Sequence, residues 1–392
     1  MRHTTSRRSA ALATALLLAW LQPAAAQQAA PHFPGANLVL VGYGTAQYSA
    51  LLPAEGGATT SANNFTASLA PILLFQMGED LLFEAEMEFG LSGETTTTTL
   101  EYAQIDYLGF ESVVVVAGKF LLPFGLFGER LHASWVNKLP NAPLLYGHAH
   151  GGVAEAALLP ILADAGAMAR YSRPMGADWG LDVSFFVTQG PRMVANEEEH
   201  TDGGAHDVVA FANVDPEHDG GGAAAAALVP SVAFGTSFAD NNDNKMLGAR
   251  VGFVRAPRLE VYLSGFHAMY DADNYLDLTG ANVAAEVRAR GFELRSEVAL
   301  LRQEFATENE YRTSQRGGYY VQLSRTFGRV EPVARWGHLL EEEQRGALIQ
   351  QERQRLAVGA SYWIAPTSPL KVMYEWDSMD DDALVVQWAI GF

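Results

Sequence analysis

The eleven residues LLFEAEMEFGL, Leu81 to Leu91, limit the fold more than any other stretch of the chain. Phe83, Ala85, Met87, Phe89 and Leu91 are apolar, and Glu84, Glu86 and Glu88 stand between them. A helix advances about 100° per residue and would mix the two sets on every face, whereas a strand separates them onto opposite faces. The stretch reads as a strand with one apolar and one acidic side. The same period of two returns in WGLDVSFFVTQ (179–189), ANVAAEVRARG (281–291), VEPVARWGH (330–338), LKVMYEWD (370–377) and ALVVQWAIGF (383–392).

Which medium meets the apolar side depends on where the chain goes. MRHTTSRRSAALATALLLAWLQPAAAQQ has a basic start at Arg2, Arg7 and Arg8, an apolar run over about 10–21, and Ala24, Ala25 and Ala26 before Gln27. That pattern predicts a secretory signal at 1–26 and one mature domain at 27–392; the competing reading is an N-terminal anchor. No other stretch holds the ~18 uninterrupted apolar residues of a membrane helix. The chain carries 26 bases against 45 acids, a net −19, and −22 once the three leader arginines are removed. Such a balance excludes a nucleic-acid surface, which needs a basic face. There is no cysteine, so no disulfide stabilises the exported protein. No linker composition and no repeat of 20–50 residues divides the chain.

Many of the alternating stretches run about 10–13 residues, the length that crosses a bilayer at a tilt. Aromatics gather near their ends: Tyr43 and Tyr48, Tyr362 and Trp363, Trp388 and Phe392. Short connections such as GFES (109–112), RAPR (255–258) and ARG (289–291) alternate with long polar ones at 51–63, 92–98, 121–164 and 191–244. The expectation is an all-β, antiparallel up-and-down transmembrane barrel. It has about sixteen strands, with the fourth at 99–109 and the twelfth at 316–327, or eighteen if segment 191–244 hides a hairpin. A barrel so wide cannot be filled by its own wall side chains and keeps an aqueous lumen.

GKFLLPFGLFGERLHASWVNKLP, Gly118 to Pro140, begins as the fifth strand and then loses all period. It is too apolar for a loop in water, so it is expected to fold back into the lumen. There Phe124 and Trp135 would pack on the wall, and Glu129, Arg130, His132 and Lys138 would line a constriction. The alternative is a partly helical cap over the mouth. AGKFLLPFGLFGERLHASWVNKLPNAPL, over some thirty residues, resembles the strand and third loop of Gram-negative porins of the phosphate-selective O/P type. The resemblance implies a sixteen-stranded outer-membrane barrel, usually a trimer, whose third loop narrows the pore. The ending VVQWAIGF is similar to the terminal-phenylalanine signal, here Phe392, read by the barrel assembly machinery. The chain departs from that family in its acidity.

By phase, the lumen is expected to receive the acids Glu84, Glu86, Glu88, Asp106 and Glu286. The bases expected there are Lys119, Arg288, Arg290, Arg295 and Arg335. Acids come from early strands and arginines from late ones, so a transverse field across water is one expectation; mutual neutralisation along neighbouring strands is the other. The sequence lacks H-E-x-x-H, G-x-S-x-G and a phosphate loop. Neither His148 and His150 nor the acidic stretch with His200, His206 and His218 is read as a metal site, and no cofactor is expected. The reading is a porin passing small hydrophilic solutes, with lipopolysaccharide as a membrane partner. A substrate-specific phosphate or pyrophosphate channel, a non-conducting barrel and a barrel enzyme are the alternatives.

Overall fold

The computed structural model describes residues 36–52, 63–93, 95–147, 149–150, 153–154, 158–159, 163–194, 208–209, 229–235, 242–306, 310–344, 347–379 and 382–392. Sixteen strands close into one antiparallel barrel in chain order. They are β1 (Ala36–Leu52), β2 (Asn63–Met77), β3 (Leu81–Ser92), β4 (Thr95–Tyr107), β5 (Val113–Leu121), β6 (Ala163–Met175), β7 (Trp179–Thr188) and β8 (Met246–Arg255). The circuit continues with β9 (Leu259–Met269), β10 (Asp277–Ala289), β11 (Phe292–Ala306), β12 (Tyr311–Arg325), β13 (Val330–Leu339), β14 (Arg353–Ala365), β15 (Ser368–Asp377) and β16 (Asp382–Gly391). β16 pairs back onto β1 from Tyr43–Gly391 to Leu52–Asp382, so neither strand is left with a bare edge.

The alternation in sequence becomes an alternation in exposure. Along β10 and β11, Val283 (46%) and Leu300 (56%) are open while their neighbours Asn282 (3%) and Ala299 (0%) are buried. Leu263, Val358, Val372, Trp388 and Ile390 extend the open apolar face around the circumference. The opposite face carries Glu260, Glu286, Arg295, Glu297, Glu331, Arg335, Lys371 and Glu375, all buried. Hydrocarbon is the medium that fits the first face, and it explains the closure. An unpaired amide in lipid costs several kcal/mol, so a spanning sheet must have no edge.

Three boundaries differ from the sequence reading. Thr95–Thr98 of the run TTTTT were expected in an outer loop at 92–98, but they belong to β4, and β3 and β4 are joined by 93–94 alone. Threonine's branched Cβ suits a pleated strand, and the run alternates faces like its neighbours. β12 starts at Tyr311, five residues before the expected 316. The described residues of segment 191–244 add no strands to the barrel: Arg192–Val194, Val208–Val209 and Ser231–Ala233 form a small sheet of their own. Within 122–147, Phe127–Leu131 make one π-helical turn and Leu144–Tyr146 one 3-10 turn; the rest is irregular. Its apolar side chains Leu122, Phe124, Leu126, Phe127 and Leu145 form a buried cluster with Phe120, Phe186, Met246, Phe266 and Tyr270, on the face opposite the apolar belt.

The outward phase of β10 has a measurable consequence. Val283→Arg, at mid-strand, is expected to destabilise the folded barrel in lipid by ~2–4 kcal/mol, and Thr279→Arg, near the strand end, by only ~0–1 kcal/mol. Reversible denaturant unfolding in vesicles measures both; equal costs would show that this face does not cross a bilayer.

Candidate functional site

The segment after β5 is bound to the polar face of the wall by a chain of specific contacts. The buried Glu297 carboxylate of β11 accepts Leu126 N at 3.0 Å, Phe127 N at 2.9 Å, Tyr146 Oη at 2.9 Å and Tyr320 Oη at 2.7 Å. Gly125 N donates to Ser264 Oγ at 3.0 Å. Lys138 Nζ reaches Glu331 at 2.5 Å, Ser324 Oγ at 2.8 Å and Glu293 at 3.0 Å. Two wall cations bind segment carbonyls instead of water. Lys371 Nζ donates to Ser134 O and to Asn137 O (2.6 Å), and Arg335 Nη2 to Asn141 O and Ala142 O at 2.8 and 2.9 Å. Leu145, Leu144, Leu139 and Trp135 lie against Gly318, Gly337, Gly359 and Gly391, where an added Cβ would come within about 3 Å of them. Phe124 packs edge-on to Phe266 at 5.0 Å.

This attachment occupies the wall from β9 to β16. On the other side lies a cavity of about 1130 Å³ bounded by β1–β9 and the segment itself. Glu84, Glu86, Tyr43, Tyr102 and Gln104 line its first wall. Tyr43 Oη donates to Glu86 at 2.7 Å, and Tyr102 also bonds Glu86. Glu129, Arg130 and His132 form the segment's contribution, opposite Arg170, Arg250, Glu260 and Tyr262. Each arginine here already has a carboxylate. Arg130 Nη1 is 2.7 Å from Glu260; Arg170 Nη2 is 3.1 Å from Glu129; Arg250 bonds Glu129 and lies 3.3 Å from Asp182. Glu84 and Glu86 have no ion pair among the described residues.

The expected lining residues divide accordingly. Glu84, Glu86, Glu129, Arg130 and His132 come together at the cavity. Glu88, half-buried opposite Thr99, and Asp106, buried beside Gln104, belong to the same β3–β4 wall outside the cavity. The others stand elsewhere. Glu286 and Arg295 bond each other at 2.6 Å, and Arg295 also holds Glu293 at 2.7 Å. Arg288 contacts Glu286, Glu293 and Glu260. Arg335 and Lys138 hold the segment in place. Lys119 is buried with Nζ on the Leu100 carbonyl. Arg290 lies outside the wall altogether, in the two-residue turn Arg290-Gly291 between β10 and β11. Strand phase assigns a face correctly but does not register that an irregular segment will cover it.

Sequence reading missed Tyr43, Tyr102 and Arg170. Tyr43 looked like an interfacial aromatic, yet it is buried on the polar face. Its phase with Thr45, Gln47 and Ser49 was the available signal. The five residues His148, His200, His206, His218 and the His150 side chain lie outside the described residues. Among the described residues, no three His, Cys, Asp or Glu are grouped to hold a metal.

His132 is partly buried with its ring edge-on to Tyr43, centroids 6.5 Å apart. Burial pushes its pKa down from 6.5 to about 4. The unfolded chain therefore takes up a proton between about pH 6.5 and 4 that the folded one does not, and stability falls as pH drops through that window. His132→Gln is expected to flatten this part of the pH–stability curve and leave the curve above pH 7 unchanged, as read by denaturant unfolding.

No family model matches the sequence, and no curated protein matches it. Solved structures do. OmpF of Salmonella typhi, solved in complex with daunomycin, aligns over 91% of this chain and 98% of its own, with 13% identity and a TM-score of 0.55. DcaP of Acinetobacter baumannii, described as an outer membrane channel, aligns over 92% and 98%, with 11% identity and a TM-score of 0.53. OmpT in a trimer form, an outer membrane protein of Vibrio cholerae, aligns over 91% and 100%, with 10% identity and a TM-score of 0.53. The chain shares with these proteins the fold of a closed, sixteen-stranded antiparallel β-barrel.

Proposed function

We propose that the chain is an outer-membrane porin, a passive channel for small hydrophilic solutes that prefers cations. Residues 1–26 serve as its export signal, and segment 122–147 lies inside the lumen as the constriction. The observation that carries this reading is the asymmetry of the cavity: Glu84 and Glu86 have no ion pair among the described residues, whereas Arg130, Arg170 and Arg250 are each ion-paired. A solute on this path meets the half-buried Glu84, with the buried Glu86 held by Tyr43 and Tyr102 beside it, facing a neutralised wall. The path carries no chemical step; it selects by size at the segment and by charge along β3 and β4.

The same geometry argues against a phosphate path of the O/P type. Such a path needs guanidinium and ammonium groups turned to water. Arg295, Arg335 and Lys371 instead bind carboxylates or the segment's own carbonyls. The trimeric state follows by analogy with the trimer form of OmpT, lipopolysaccharide surrounds the outer rim, and Phe392 presents the assembly signal.

A monovalent ion about 6 Å from a carboxylate in water-like surroundings gains ~0.7 kcal/mol, a bias of about threefold per charge. Reversal potentials across a planar bilayer under a salt gradient test this. The native channel is expected to favour potassium over chloride, and Glu84→Gln with Glu86→Gln to reduce that ratio several-fold without closing the channel. An unchanged ratio would remove the acidic wall from the selectivity filter.

A further inference from the structure

The tight turns at one end of the barrel are not alike. Those joining β2 to β3 and β4 to β5 carry Glu79, Asp80 and Glu111 and no base. Those joining β8 to β9, β10 to β11 and β12 to β13 carry Arg258, Arg290 and Arg329 and no acid, and β8 and β12 end on Arg255 and Arg325 beside them. In a chain of net −19 this is a concentrated basic arc. Arg255 has a partner in Asp178 at 2.9 Å. Arg258, Arg290, Arg325 and Arg329 are exposed and form no ion pair among the described residues.

The arc is tied to the apolar belt. The Arg325 guanidinium lies 4.5 Å from the ring centres of both Phe292 and Phe327, and Arg255 lies 5.8 Å from that of Trp179. These rings are exposed, Phe327 by 53%. Phe292 is in phase with Leu294 on the open apolar face, and Arg325 stands opposite it in the pairing of β11 with β12. A guanidinium stacked on such rings keeps its N–H edge free to pair with two oxygens of a phosphate at the height where hydrocarbon meets headgroups. Arg290 adds a separate sign. It takes φ 53 in a turn whose conformation suits asparagine or glycine, so the arginine stands there under backbone strain.

We propose that this arc is a binding site for the phosphate of an anionic phospholipid in the leaflet at the short-turn end of the barrel. It covers the side from β8 to β13; the side from β2 to β5, with its acidic turns, is left without one. A soluble anion would not explain why Arg325, within the arc, is seated on the lipid-facing rings of Phe292 and Phe327. The proposal rests on the porin reading only for which leaflet this is, the periplasmic one.

The full chain in mixed micelles with equal amounts of phosphatidylglycerol and phosphatidylcholine, measured by native mass spectrometry, tests the site. The native barrel is expected to retain phosphatidylglycerol several-fold over phosphatidylcholine. Arg258→Gln, Arg290→Gln, Arg325→Gln and Arg329→Gln together are expected to abolish the preference, while Glu79→Gln, Asp80→Gln and Glu111→Gln leave it intact. Equal retention of both lipids by the native protein overturns the proposal, as does a quadruple variant that keeps the preference. Displacement of the lipid by inorganic phosphate at equal concentration also overturns it, because the site would then belong to a free anion.

A second arm leaves the arginines untouched. The chain has no cysteine, so Val330→Cys and Phe110→Cys each give a single labelling position, one on each side. Brominated phosphatidylglycerol is expected to quench a fluorophore at 330 more than one at 110, and equal quenching refutes the asymmetry. Conductance recorded on the same preparations keeps the two readings apart: lipid preference without a channel sinks the porin and leaves the site.

Discussion

Every amide in a lipid-facing sheet must find a carbonyl, and the last two edges of this one, β1 and β16, find each other over ten residue pairs from Tyr43–Gly391 to Leu52–Asp382. The remaining structure follows from that closure. It fixes which side chains look out and which look in, because a strand's side chains alternate and the register of each pair is passed to the next. It also makes a wall too wide to fill itself, which gives the irregular segment after β5 a place to bind.

Charge is then distributed by what it is near. The late strands bring Arg295, Arg335, Arg355 and Lys371 to the polar face, and burying these without partners would be prohibitive. Segment carbonyls and wall carboxylates supply the partners: Ser134, Asn137, Asn141 and Ala142 through their backbone, and Glu286, Glu293 and Asp377 through their side chains. Glu297 does the reverse, gathering backbone N–H groups and tyrosine hydroxyls around one anion. The wall and the segment therefore neutralise each other. Glu84 and Glu86 escape this because the segment passes β3 without bonding to them, and they remain on the cavity surface.

Much of the barrel could be read directly from the chain. Strand existence, strand number, the lipid-facing phase and the irregularity of 118–140 all follow from a period of two and its loss. The threonine run at the start of β4 was misread because it is polar on both faces, which in a soluble protein marks a loop. At the end of a membrane strand both media accept hydroxyls. Of the site, Glu84, Glu86, Glu129, Arg130 and His132 were legible as charged residues in the right phase or segment. Arg290 was misplaced because the inward phase of Glu286 and Arg288 was carried one step past Ala289 into the turn, where the residue is off the wall.

By itself, the sequence determined the architecture. Alternating hydrophobicity has one stable outcome when one face meets hydrocarbon: strands that pair in chain order and close on themselves, whichever inward side chains they carry. Only the tertiary structure decided which charged groups face the cavity. Arg170 and Glu129 are 41 positions apart, Arg130 and Glu260 are 130 apart, and Lys138 and Glu331 are 193 apart. No local pattern encodes such pairings. They arise where an aperiodic segment, seated against Gly318, Gly337, Gly359 and Gly391, brings its own polar groups within reach of the wall.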